Sequence, residues 1–196
     1  MTRKKLPIIL EPEEAQRLIK QPNKRYPTGI RNKAILSIML HCGLRLSEVI
    51  NLKPGNLNLT KGKLRVISGK DNKDRDLAIP EYLIDLIDSW RKIRPESSYF
   101  FSTLKGKKLL SHYIQQMVGR YKKRAGIEKN VTPHTLRHTY ATHYYRQTKD
   151  IETLRRILGH ADISTTTIYI TLANIDVEAS MKAFNGFMIQ EKKVDL

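Results

Sequence analysis

The sequence predicts a mainly α fold with one small antiparallel β-sheet, in the α+β class. Two observations carry this. Apolar residues recur with a helical period of about 3.6 over most of the chain. Only one stretch breaks that rhythm, where two short β-prone runs, Leu64-Arg65-Val66-Ile67 and Asp76-Leu77-Ala78-Ile79, flank Gly69-Lys70-Asp71-Asn72-Lys73-Asp74. That intervening segment consists of turn formers and charges, so the pair reads as a β-hairpin.

The helices follow from their end signals. Glu11-Pro12-Glu13-Glu14 opens the first, with proline at the start and acids in the first turn. It runs to about Lys20 and stops before Pro22. A second, from about Arg31 to His41, buries Ala34, Ile35, Ile38 and Met39 on one face, and Gly43 is placed to end it. Leu46 to Leu52 is a short third helix. After Pro80, Leu83, Leu86, Ile87 and Trp90 form a stripe. Ser111 is expected to cap a helix to about Ala125 that carries Ile114, Met117, Val118 and Tyr121. Thr132-Pro133 opens another to about Gln147. Asp150 caps Ile151 to Leu158, which Gly159 ends. A last amphipathic segment, about Ile175 to Ile189, carries Met181, Phe184, Phe187 and Met188.

The chain has 196 residues, and neither a repeat nor a Gly/Ser-rich linker divides it, which favours one domain. Residues 1–5 form a basic tail, 6–175 the domain itself, and 176–196 a terminal helix and tail. Hydrophobic residues make up 40% of the chain and the mean hydropathy is −0.47, enough for a core and too polar for a membrane span. Cys42 is the only cysteine, which excludes an internal disulfide and a thiolate zinc module. With no apolar leader after Met1-Thr2-Arg3-Lys4-Lys5, the expectation is a cytoplasmic, nucleoid-associated protein. Lysine and arginine total 36 against 19 acids, a net charge of +17. A cationic excess of that size favours a polyanion, because each phosphate neutralised releases condensed counterions.

Four segments stand out as polar residues set in apolar helical context. Arg45 follows the Gly43 break and precedes a helix, with Glu48 three residues on and able to orient it. His134 and Arg137 share a helix face near an N-terminus, where the dipole assists anion binding. His134 and His138 have the i, i+4 spacing of a zinc pair, but no glutamate follows His134 and Cys42 is the only thiol, so no metal is expected. His138 and His143 are expected to pack or face solvent. Leu158-Gly159-His160 is followed nine residues later by Tyr169. Lys70 lies in the hairpin turn.

In this order and context, Gly43-Leu44-Arg45-Leu46-Ser47-Glu48, Gly69-Lys70 to Arg75, His134-Thr135-Leu136-Arg137-His138 and Leu158-Gly159-His160 to Tyr169 resemble the tyrosine recombinases, or phage integrases. The likeness is strongest to their Xer-like branch. The resemblance covers nearly the whole chain and implies the tyrosine recombinase catalytic-domain fold. It also implies strand cleavage and rejoining through a 3′-phosphotyrosyl intermediate, with neither metal, ATP nor other cofactor. Arg45 and Arg137 match the arginine pair that clamps the scissile phosphate. Lys70 matches the lysine that protonates the leaving 5′-oxygen, with Lys73 as its rival. His134 matches the general base, His160 the second histidine on the phosphate, and Tyr169 the nucleophile. Glu48 matches an acidic position that supports Arg45.

The implied partner is double-stranded DNA, held by a homo-tetramer on paired sites, with a monomer as one option for the free protein. Other readings stay open: a topoisomerase of type IB, which relaxes supercoils with a similar residue set, or a non-catalytic DNA-binding regulator. Most family members add an N-terminal helical domain that clamps the other face of the DNA. The match here begins at about residue 6, so the chain corresponds to a catalytic domain cut from a longer protein or to a compact single-domain member. The terminal segment packs either in cis or on a neighbouring protomer.

Overall fold

A computed structural model describes residues 6–67, 74–160, 162 and 165–173. In chain order the elements are α1 (Pro12–Lys20), α2 (Pro27–Cys42), α3 (Leu46–Asn51), a 3₁₀ turn (Pro54–Asn56), β1 (Leu57–Asn58), β2 (Lys63–Val66) and β3 (Arg75–Ala78). There follow α4 (Glu81–Ile93), α5 (Ser111–Arg124), α6 (Pro133–Thr148), α7 (Ile151–Leu158) and α8 (Ile168–Leu172). The fold is thus mainly α with one small antiparallel sheet, as the periodicity predicts. Among the described residues no helix is long and apolar enough to cross a membrane.

Helix α2 organises the core. It begins at Pro27, four residues before the expected Arg31, because proline at the first helical position needs no N–H partner. It also buries more than one face: Ala34 through Met39 are all sequestered, because α4 and α6 pack on different sides of it. The helix ends at Gly43 with φ at +65°, in the left-handed region where glycine avoids a Cβ clash.

The sheet is a meander in the order β1-β2-β3. Its central pairing sets Leu64 opposite Leu77 and Val66 opposite Arg75. Strand β1 has two residues, too few for an alternating pattern to announce it. Leu64, Val66 and Leu77 point inward and join the main core. On α4, Leu83, Ile87 and Trp90 are buried as the stripe predicts, and Trp90 donates its indole N–H to the Phe100 carbonyl at 2.9 Å. Ser111 does not cap α5. It is the first helical residue, and Leu110 stands at the cap position.

A second, smaller apolar cluster joins α6, α7 and α8 through Ala141, Tyr145, Leu154, Leu158, Tyr169 and Leu172. Thr132 and Asp150 cap α6 and α7 through their side chains, as read from the sequence. Burial of this cluster fixes where the short helix α8 lies, since five residues have little helical stability of their own. The expected terminal helix, Ile175 to Ile189, falls outside the described residues.

Candidate active site

Two left-handed glycines turn the chain so that the polar residues meet. Gly43, at the end of α2, lays its carbonyl against α6, and Gly159, at the end of α7, exposes the Leu158 and Gly159 carbonyls. Arg137 is 5% exposed. It donates from Nη1 to the Gly43 carbonyl and from Nη2 to the Leu158 carbonyl, both at 2.6 Å. Arg45 donates from Nη2 to the Gly159 carbonyl at 3.2 Å. The arginine pair is therefore assembled from two helix junctions and one helix, and fixed by backbone acceptors.

His160 lies beside Arg137, with its Nε2 3.1 Å from Nη2. A guanidinium can only donate, so Nε2 supplies a lone pair and the imidazole is neutral. Its proton then sits on Nδ1, 2.9 Å from the Thr166 hydroxyl. Burial, followed by the charges of Arg137, Arg45 and Arg75, holds the His160 pKa down at about 4. Burial also lowers Arg137 to about 10, which leaves it charged at neutral pH.

Glu48 is the anion of the cluster. Its Oε2 accepts the Arg45 backbone N–H at 2.7 Å, and its Oε1 accepts from Arg45 Nη1 at 3.0 Å. Glu48 thus contacts Arg45 at both its backbone N–H and its guanidinium. Arg75 shares the same carboxylate, with Nη1 on Oε1 at 3.0 Å and Nη2 on Oε2 at 2.9 Å, and Arg137 approaches Oε2 to 3.9 Å. Burial alone would raise the Glu48 carboxyl. The Arg75 hydrogen bonds and charge, the Arg45 N–H and the Arg137 charge outweigh it and hold the pKa below the ordinary value.

Tyr169 is 2% exposed. Its hydroxyl lies 3.0 Å from His138 Nδ1, with the two rings tilted by 46°. Burial raises the phenol pKa against the opposing pull of Arg137 and Arg45. Burial, then His134 and Arg137, lowers His138 to about 4. The pair is therefore a neutral phenol on a neutral imidazole. His138 therefore packs, one of its two expected placements, with the Tyr169 ring and hydroxyl as its neighbour. His143, one turn further along α6, bonds the Leu10 carbonyl at 2.9 Å.

Of the residues singled out in the sequence, Arg45–Glu48 and Arg137–His160 form two hydrogen-bonded pairs, joined by the 3.9 Å approach of Arg137 to Glu48, with Tyr169 in the field of both arginines. His134 stands exposed on the first turn of α6 and acts on His138 through charge. Lys70 and its rival Lys73 lie outside the described residues. Reasoning from the sequence misses Arg75, His138 and Thr166. Arg75 is visible at the end of the hairpin motif, but its partner is 27 residues away; His138 lies in plain sight beside Arg137.

Known proteins resemble this chain along most of its length. The chain is 32% identical over 189 residues to tyrosine recombinase XerD of Staphylococcus haemolyticus, which covers 93% of this chain and 64% of that protein. The crystal structure of XerA recombinase superposes with a TM-score of 0.78 at 33% identity, covering 92% of this chain and 65% of that one. XerH site-specific recombinase, bound to palindromic difH substrate in a post-cleavage complex, gives a TM-score of 0.78 at 27% identity over 93% of this chain and 54% of that one. The chain thus spans less than two-thirds of each. The phage integrase family matches residues 9–174, and the chain belongs to that family.

Proposed function

We propose that this chain is the catalytic unit of a site-specific DNA recombinase, which cleaves and rejoins strands through a 3′-phosphotyrosyl intermediate. The observation that supports this best is the convergence of two guanidiniums, an imidazole and a phenol from four separate elements onto one small volume. The net charge of +17 and the XerH–difH complex favour double-stranded DNA as substrate.

The chemistry follows from the groups. A phosphodiester resists attack because it is anionic, so Arg45 and Arg137 neutralise its non-bridging oxygens as charge builds in the transition state. Arginine suits this task, being always charged and able to bind two oxygens in one plane. Tyr169 Oη forms the new bond to phosphorus while the bond to the 5′-oxygen breaks, and Lys70 protonates that oxygen. The phenol proton passes to a histidine of α6. His134 carries the base role by family resemblance, and His138 holds the phenol at rest. An incoming phosphate oxygen takes over the Arg137 Nη2 donor; with its one proton moved from Nδ1 to Nε2 and the Thr166 hydroxyl turned to donate to Nδ1, the neutral His160 then donates a hydrogen bond to the same oxygen. The phosphotyrosyl ester conserves the bond energy, so rejoining to a new 5′-hydroxyl requires no nucleotide. Exchange between two duplexes calls for four protomers on paired sites, and the 176–196 segment is a candidate contact between them. Action on DNA implies a site of work at the nucleoid of the cytoplasm.

The test is covalent capture. A pool of nicked duplexes with randomised centres, which lose their 5′-hydroxyl fragment on cleavage, is incubated with the protein, and the protein-linked 3′ ends are sequenced. The wild-type chain forms adducts at a defined sequence, and Tyr169→Phe forms none while still retaining the pool on a filter. Adducts from Tyr169→Phe would overturn the nucleophile assignment. Absence of adducts from the wild type would favour a binding regulator, and plasmid relaxation without strand exchange would favour a topoisomerase.

A further inference from the structure

We infer that Arg75 is a positioning residue that sets the charge of the phosphate clamp, by occupying the Glu48 carboxylate that would otherwise neutralise Arg45 and Arg137. This rests on the strand-transfer reading above and deepens it. Arg75 and Glu48 are 8% and 7% exposed at their side chains, so the pair is shielded from water and weakly screened. The Arg75 fork covers both carboxylate oxygens, at 3.0 and 2.9 Å. Its Nε donates to the Ile157 carbonyl at 2.6 Å, which anchors the side chain from β3 to the end of α7. Gly159 preserves the path: a Cβ there would lie 2.9 Å from Arg75 Nη1.

The arithmetic of charge gives this arrangement its function. Three guanidiniums and one carboxylate leave 3 − 1 = +2 on the cluster, with His160 neutral. A phosphodiester carries one negative charge in the ground state, and the pentacoordinate phosphorane formed by an attacking phenolate carries two. The cluster therefore matches the reacting state better than the bound one, the condition for raising turnover instead of affinity alone. Without Arg75 the cluster falls to +1. Glu48, relieved of its fork, is then free to close on Arg137, which already stands 3.9 Å away.

Two readouts test this. Adduct formation is measured on the duplex recovered by capture, and orthovanadate binding is measured by vanadium NMR without DNA, so that failure of the recombinase reading leaves the second readout intact. Arg75→Gln lowers the maximal rate of adduct formation on the order of 100-fold, the penalty expected when reacting groups are misplaced, with little change in DNA affinity. It also weakens vanadate binding, with Arg137→Gln as the control for loss of the anion site. Arg75→Lys keeps the charge but loses the fork and the Nε anchor, so its rate falls between that of Arg75→Gln and wild type.

Two results discriminate clamp charge from simple support of the hairpin. The double variant Glu48→Gln with Arg75→Gln restores +2 and recovers both readouts relative to Arg75→Gln. A neutral methylphosphonate at the scissile position lowers the charge of the reacting state by one and shrinks the Arg75→Gln deficit. A double variant as impaired as the single one, or an undiminished deficit on methylphosphonate, would overturn the inference. Rescue by a 5′-bridging phosphorothiolate alone would also overturn it, since that substrate relieves only the need for a leaving-group acid.

Discussion

Replacing Glu48 by glutamine tests the electrostatic economy of the site through stability alone. Each carboxylate oxygen carries two donors: Arg45 Nη1 and Arg75 Nη1 on Oε1, the Arg45 backbone N–H and Arg75 Nη2 on Oε2. Glutamine keeps the shape but has one oxygen, so whichever way the amide turns, its NH₂ faces two donors. Two charge-assisted hydrogen bonds at about 1.5–3 kcal/mol each are lost. Three guanidiniums are left without their anion, and breaking a buried pair costs about 3–5 kcal/mol by itself. These overlap instead of adding, because Arg45, at 28% side-chain exposure, can turn toward water. The expected loss is therefore about 3–5 kcal/mol at pH 7, or a Tm lowered by about 6–20 °C at the usual 2–4 °C per kcal/mol for a domain of this size.

The pH dependence has a definite sign. The folded pKa of Glu48 lies below its ordinary value of 4.5. Its contribution is fully present above that value and is lost as pH falls through the folded pKa, where the unfolded state binds the extra proton. The gap between wild type and Glu48→Gln should be widest near pH 7 and narrow below pH 4.5, since a protonated carboxyl resembles the amide. Urea unfolding at pH 7, 5 and 4 measures it. A gap under about 1 kcal/mol at pH 7, the scale of an exposed pair, would refute the picture of a shielded carboxylate. So would a gap that does not narrow in acid.

Two glycines give opposite expectations. At Gly43, alanine meets a left-handed backbone costing about 1–2 kcal/mol, and its Cβ would lie 2.4 Å from the Tyr140 ring. Gly43→Ala should therefore lower urea stability by about 2–4 kcal/mol once the crowding is included, and it should slow adduct formation because the Gly43 carbonyl holds Arg137. Gly119 sits inside α5, and among the described residues nothing comes within 4 Å of where an alanine Cβ would stand, so Gly119→Ala should stabilise the fold by about 0.5–1 kcal/mol. Loss of DNA affinity in that more stable variant, read by filter retention, would show that this face of α5 approaches DNA closely.

Helix positions are legible in the sequence wherever a local device ends them. Pro12, Gly43, Thr132, Asp150 and Gly159 all act within one turn of their own position, and each stands where the sequence puts it. What escapes is set by contacts distant in sequence. The extent of burial around α2 depends on α4 and α6 packing onto it from two sides. Strand β1 exists only because β2 offers it a partner through Leu57 and Leu64.

The same distinction explains the candidate site. Arg45, Arg137, His160 and Tyr169 can be picked out because each belongs to a local motif whose spacing survives as sequence. Arg75 stands inside such a motif and still passes unremarked, because a guanidinium has no visible task until its acceptor is known. Its acceptors, Glu48 and the Ile157 carbonyl, lie 27 residues before it and 82 after. A site that balances charge is therefore harder to read than one that displays nucleophiles. The counter-charges act from a distance, and a sequence shows them as ordinary members of a basic surplus. Among the 36 basic residues of this chain, burial is what sets Arg137 and Arg75 apart from that surplus: both are almost wholly withdrawn from water, where one carboxylate more or less changes the net charge that a bound anion would meet.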